Sequence, residues 1–141
     1  MAVKIPQLHC DLLQEPVHAV LTTMMADGMP QSSLVWVDYD GHHILINTIL
    51  ERQKGKNMQR NPKVALLVVD PKNSSRWLEV RGIVTEITTD DAEAHADRLT
   101  RRYTCGKHFY GDIYPVEQRA KETRVIVKIE PIKISLDAIF Q

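Results

Sequence analysis

Apolar and polar residues alternate along much of this chain, and two Asp-Gly pairs punctuate the alternation. Residues 17–25 form a β-like run that ends at Asp27-Gly28, a hairpin signal. Residues 32–39 follow, with Leu34, Trp36 and Asp38 on one face and Val35, Val37 and Tyr39 on the other. Asp40-Gly41 is a second hairpin signal and leads into residues 43–50. Three strands joined by two tight turns predict an antiparallel meander.

Beyond this meander the period changes. Residues 8–14 read as a short helix stopped by Pro16, and residues 52–60 as another, ended by Asn61-Pro62. The unbroken apolar run 64–69 predicts a strand buried on both faces, and 70–74 a turn. Residues 77–88 predict a long strand, with Leu78, Val80, Gly82 and Val84 on one face; Gly82 marks a bulge or a barrel corner. Asp90 and Glu93 have the spacing of a capping box at the start of the longest helix, whose Ala92, Ala96, Leu99 and Tyr103 share a stripe. Residues 104–114 read as an irregular loop whose Phe109, Tyr110 and Tyr114 either pack it in place, the favoured reading, or form a lid over a site. Residues 123–136 are either a strand pair or one strand bent at Pro131. The sum is a mainly β chain with peripheral helices: a small six-stranded antiparallel barrel, in which closure removes exposed edges.

At 141 residues the chain is expected to be one domain, 1–141, large enough to bury a core. Its 18 basic and 18 acidic residues cancel, which argues against a nucleic-acid or membrane-surface binder. No signal peptide and no run of membrane-spanning length stand out, so a cytoplasmic location is expected. Cys10 and Cys105 have no motif spacing, and the six histidines include no His-x-x-x-His pair, so no disulfide framework or metal is expected. There is no nucleophile elbow, Walker loop or Gly-x-Gly-x-x-Gly run, and no catalytic residue is assigned.

The basic charge is local. Residues 52–63 hold Arg52, Lys54, Lys56, Arg60 and Lys63 and no acid. Cations at a helix N-terminus are unfavourable by several tenths of a kcal/mol, roughly. Their presence there points to a bound anion, phosphate or carboxylate, which the free N–H groups also favour. The alternative is a solvated basic turn.

Pro30-Gln31-Ser32 at the start of the second strand, Arg52-x-Lys54-x-x-Asn57-Met58-x-x-Asn61-Pro62-Lys63-Val64-Ala65-Leu66, and Trp77-Leu-Glu-Val-Arg-Gly82 together resemble the pyridoxamine-phosphate-oxidase-like split barrels, the flavin/deazaflavin oxidoreductases. The resemblance covers about residues 17–129. It implies a homodimer with F420 or FMN at the subunit interface and hydride transfer to or from a small organic substrate. By match to the motif, Arg52 and Lys54 are phosphate ligands, with Lys56 and Asn57 beside them. Trp77 falls where related chains bring an aromatic toward the site across the interface. A flat ring needs apolar walls and a few hydrogen bonds, which Val35, Trp36, Asn47 and Thr48 could supply if they are not plain strand packing.

Five cations favour F420, which carries more negative charge than FMN, the close alternative. Either cofactor carries the hard chemistry itself, so the missing acid–base set is compatible with an enzyme. It is equally compatible with a non-catalytic module that sequesters a flavin, deazaflavin or haem. Authentic pyridoxamine phosphate oxidases close with an Arg- and His-bearing segment that 136–141 does not match, which argues against vitamin B6 synthesis. The two-faced strand 64–69 and the apolar pair Ile139-Phe140 add to the expectation of a dimer.

Overall fold

The computed structural model describes residues 2–137; Ile139 and Phe140 lie outside the described residues. Seven strands, β1 (Ala19–Met24), β2 (Pro30–Val35), β3 (Val37–Tyr39), β4 (Ile44–Ile49), β5 (Lys63–Val69), β6 (Trp77–Thr88) and β7 (Arg124–Leu136), form one sheet in the order β2-β1-β5-β6-β7-β4-β3. Every pairing is antiparallel. Three helices pack around it: α1 (Asp11–Gln14), α2 (Gln53–Arg60) and α3 (Ala92–Tyr103).

The count is seven strands rather than six because the run 32–39 is two strands. β2 pairs with β1 and β3 pairs with β4, and these are opposite edges of the sheet. Only Trp36 separates them, so the sheet curls until its edges meet at that residue, consistent with a split barrel. Alternation continues through the break, since Val35, Val37 and Tyr39 are all buried, and the pattern alone therefore hides it. The two hairpin turns are as expected, with φ of 89° at Gly28 and 95° at Gly41, a region open to glycine.

Leu13, Ala19, Leu21, Val37, Ile44, Ile46, Leu66, Leu78, Val127 and Ile129 fill the barrel. β5 departs from expectation: Val64, Leu66 and Val68 point inward, but Leu67 and Val69 are each 38% exposed. The strand is a wall of the barrel with one core side, and its outer apolar face joins Trp77 in a surface patch. The final segment is one bent strand. Its register against β6 shifts between Arg81 and Gly82, where Gly82 faces Pro131. A Cβ on Gly82 would lie 2.6 Å from Ile129 Cγ2 and 2.8 Å from the Glu130 carbonyl, so only glycine fits this corner.

α3 covers the seam. Tyr103 stacks on Trp36, with ring centroids 5.3 Å apart, and its hydroxyl accepts the Val37 N–H at 3.0 Å and donates to the Val17 carbonyl at 2.8 Å. The expected Asp90–Glu93 capping box does not form. Asp91 is the N-cap, with φ 62° and no side-chain cap bond. Its carboxylate takes Arg98 at 3.0 Å, Glu93 takes Arg119 at 2.8 Å, and the Ala92 N–H is met by the Thr89 carbonyl. No described helix is long and apolar enough to cross a membrane.

Candidate functional site

α2 starts almost directly where β4 ends, and Gly55 permits it. A Cβ there would collide with the Ile49 carbonyl oxygen and sit 3.1 Å from Leu50 backbone atoms. Asn57, fully buried, fixes the helix from the other side. Its Nδ2 donates to Thr23 Oγ1 at 3.0 Å and contacts Met25 Sδ at 3.4 Å, while its Oδ1 accepts from Gln53 at 2.8 Å and Arg60 at 3.1 Å. So held, the helix start delivers Arg52 and Lys54 to one cleft of about 240 Å³.

Leu34, Val35 and Trp36 from the β2–β3 corner line the same cleft, with Asn47 from β4 and His18 ahead of β1. Phe109, Ile113 and Tyr114 close it from the loop, and Arg124 from the start of β7. Arg52 donates to the Tyr114 hydroxyl at 2.9 Å, and its guanidinium lies 5.3 Å from that ring's centre. Lys54 Nζ donates to Ser33 Oγ at 3.1 Å. Neither cation has a carboxylate partner among the described residues. Burial, and then the charge of Arg52, pull the Lys54 pKa below its ordinary value. Both causes disfavour a bare cation, and an anion in the cleft relieves both.

Behind the cleft runs a polar chain. Asn47 Nδ2 donates to the Ala92 carbonyl at 2.8 Å and lies 3.1 Å from His95 Nδ1. His95 is wholly buried, with Nε2 3.1 Å from Asp38 Oδ2, and Asp38 Oδ1 accepts from Arg102 at 2.9 Å. Burial pushes the Asp38 carboxyl up, but the hydrogen bonds from His95 and Arg102 and the Arg102 charge outweigh it and hold the pKa at about 2. On its cleft side, Asn47 Oδ1 accepts from Arg124 at 3.2 Å.

Of the candidates drawn from the sequence, Val35, Trp36, Asn47, Arg52 and Lys54 come together here. The other four lie elsewhere. Lys56 is exposed, because two residues along a helix rotate a side chain by about 200°. Asn57 has its amide spent on holding α2 to β1. Thr48 points into the core from the opposite face of β4 to Asn47. Trp77 belongs to the outer patch with Leu67 and Val69. Sequence reasoning missed His18 and Arg124 and did not assign Tyr114 to the site. An arginine directly before the apolar run 125–127 is the signal that could have marked Arg124. Among the described residues, no group of three or more His, Cys, Asp or Glu is placed to hold a metal ion.

Residues 5–136 match the pyridoxamine 5'-phosphate oxidase family. A solved F420 reductase is 34% identical; the match covers 93% of this chain and 98% of that one, with a TM-score of 0.79. A pyridoxine/pyridoxamine 5'-phosphate oxidase of Rhodopseudomonas palustris (strain BisA53) is 31% identical over 116 residues, 82% of this chain and 54% of that protein. Its counterpart in Caulobacter vibrioides (strain NA1000 / CB15N) is 31% identical over 79% of this chain and 50% of its own length. The chain thus spans about half the length of these curated relatives. General Stress Protein 26 of Bacillus anthracis, at 18% identity and a TM-score of 0.59, covering 89% of this chain and 88% of its own, shares the fold. A family match over nearly all of the described residues, on a curled antiparallel sheet with a cationic cleft at its seam, shows that this chain belongs to the pyridoxamine 5'-phosphate oxidase family.

Proposed function

We propose that residues 1–141 form one cofactor-binding domain that works in the cytoplasm as an oxidoreductase. It binds F420, with FMN the close alternative, at an interface between two copies, and passes hydride to or from a small organic substrate. The observation that carries this reading is the pair Arg52 and Lys54, two cations without a carboxylate partner among the described residues, at one end of a cleft walled by Val35 and Trp36. Arg supplies a fork for phosphate oxygens and Lys a point charge. The apolar wall suits a flat ring, whose chemistry, when bound, is hydride exchange. The chain's own part is to anchor the phosphate, wall the ring and exclude water.

F420 is favoured because the F420 reductase is 34% identical along nearly the whole of both chains, with a TM-score of 0.79. Lys56, Arg60 and Lys63 are also exposed and add to the local excess of positive charge, which suits a ligand with a longer anionic tail. The dimer is supported by the surface patch of exposed Leu67 and Val69 with half-buried Trp77. A cleft of about 240 Å³ is also smaller than the roughly 300–1,000 Å³ of a complete small-molecule site, which suits a shared one. Sedimentation at micromolar concentration is expected to show a dimer, and a stable monomer would defeat the shared-site arrangement.

The direct test titrates the purified protein with FMN and F420 side by side, following absorbance and fluorescence. Saturable binding of at least one is expected; binding of neither refutes the reading. Lys54→Ala is expected to weaken that binding by about 1.5–3 kcal/mol, the range for a charge-assisted hydrogen bond. Its fold should persist, since Lys54 bonds only a serine hydroxyl among the described residues. A collapsed melting transition with unchanged affinity would make Lys54 a structural residue instead. A bound cofactor whose spectrum no candidate substrate alters would favour a sequestering module over an enzyme.

A further inference from the structure

Arg124 is the least ordinary group in the cleft. Its side chain is only 7% exposed, yet it lines the same cavity as Arg52 and Lys54. A guanidinium carries five N–H donors in a rigid plane. Nε and Nη2 are engaged by the Tyr110 hydroxyl, at 3.3 Å each, and Nη2 also donates to Glu122 at 3.3 Å. Nη1 donates one hydrogen to Asn47 Oδ1 at 3.2 Å. Its second hydrogen has no partner among the described residues.

The surroundings hold that donor in place. Asn47 turns its Nδ2 toward two acceptors, the Ala92 carbonyl and His95 Nδ1, so its Oδ1 must face Arg124. The same logic gives His95 its proton on Nε2, toward the Asp38 carboxylate. The guanidinium rests 4.2 Å from the centre of the Phe109 ring, a cation–π contact that helps hold it in place. Its one carboxylate partner, Glu122, lines the neighbouring cleft rather than this one. The guanidinium is thus a wall between two clefts, with its neutralising partner on the far side.

We infer that Arg124 is a second ligand-reading group of the cofactor site: it donates to an oxygen on the carbonyl edge of the bound ring and favours the reduced ring over the oxidised one. The inference rests on the cofactor reading above. A ligand with an anionic tail and a flat carbonyl-bearing ring matches a cleft whose helix end supplies two cations and whose strand end supplies a planar buried donor. Two-electron reduction of a neutral flavin ring with uptake of one proton leaves one negative charge on its pyrimidine edge. A charge-assisted hydrogen bond is roughly twice as strong as a neutral one, so a donor fixed there gains on reduction.

The test uses FMN and F420 as probes on the full chain, with the midpoint potential of bound probe read against reference dyes. Arg124→Gln is expected to cost about tenfold in the preference for the reduced probe, a shift of about 30 mV to more negative potential for a two-electron couple. Arg124→Lys, which keeps the charge beside Glu122, is expected to shift it less in the same direction. A measurement on the unaltered protein stands beside these in case the variants do not fold. The 15N side-chain signals of Arg124 are expected to move on adding oxidised probe and again on its reduction. Probe binding with an unmoved potential in both variants, or with unmoved Arg124 signals, overturns the inference and leaves the cofactor reading standing. Failure of both probes to bind the unaltered protein overturns both.

Discussion

Gly55→Ala is expected to destabilise the protein by at least about 3 kcal/mol, above the roughly 1–3 kcal/mol usual for overpacking. In an exposed helix interior the same change would stabilise by about 1 kcal/mol, because alanine is the better helix former. The sign reverses because the new Cβ meets backbone, the Ile49 carbonyl and Leu50, which no rotamer change can move aside. Relief requires α2 to lift away from the end of β4. Lifting it strains the Asn57 bonds to Thr23 and Met25 and withdraws Arg52 and Lys54 from the cleft. Chemical denaturation should therefore show a lower midpoint, and probe titration on the remaining folded protein a lower affinity. An unchanged or raised midpoint would show that the helix does not rest on β4 as described.

The next-largest effect on stability is expected at Asp38. Replacing it with alanine leaves the wholly buried His95 donor without its acceptor and takes the carboxylate from the partly exposed Arg102, which costs about 1–3 kcal/mol, the range for a buried donor left unsatisfied. Its neighbours on the surface provide the control. The exposed pairs Asp91–Arg98 and Glu93–Arg119 should each be worth no more than about 1 kcal/mol. The pH dependence has a definite sign. The folded pKa of about 2 lies below the unfolded value of roughly 3.9, so the stabilisation is fully present above the unfolded value. It is lost as pH falls toward 2, and amounts to roughly 2 kcal/mol. Asp11, Asp40, Glu51, Asp70, Asp112 and Asp137 are also held below the ordinary range, so the acid limb of the native protein is a joint effect. The difference between native protein and Asp38→Asn across that limb isolates one of them. Parallel acid limbs, together with an unchanged midpoint for Asp38→Ala at pH 7, would remove Asp38 from this role.

Much of this architecture was legible in local signals. The hairpins at Gly28 and Gly41 are read from dipeptides whose backbone demand is met within four residues. The limits of α2 follow from its neighbours, and the gathering of cations at its start follows from composition alone. The expectation of a bound anion likewise came from a local motif, Arg52-x-Lys54, whose two cations the structure puts in one cleft.

Other features depend on partners distant in the chain. Trp36 divides one apparent strand into two edges, because whether residue 37 pairs with 46 or with a neighbour of β1 is settled by sheet closure, not by alternation. The apolar run of β5 looks alike on both faces, and only the barrel decides that Leu67 and Val69 stay outside. Lys54 and Asn57 belong to one motif and sit one helical turn apart, and the close contact at Gly55 sets the rotation that points one to the cleft and spends the other on structure. Arg124 meets Asn47 across 77 positions of sequence. By itself the sequence determined the turns, the spans of the strands and helices apart from the break at Trp36, and the local excess of positive charge, because each arises from neighbours within a few residues. The tertiary structure alone decided which faces are buried, where the sheet closes and which cations share a cavity, because those depend on contacts that exist only after distant segments have packed.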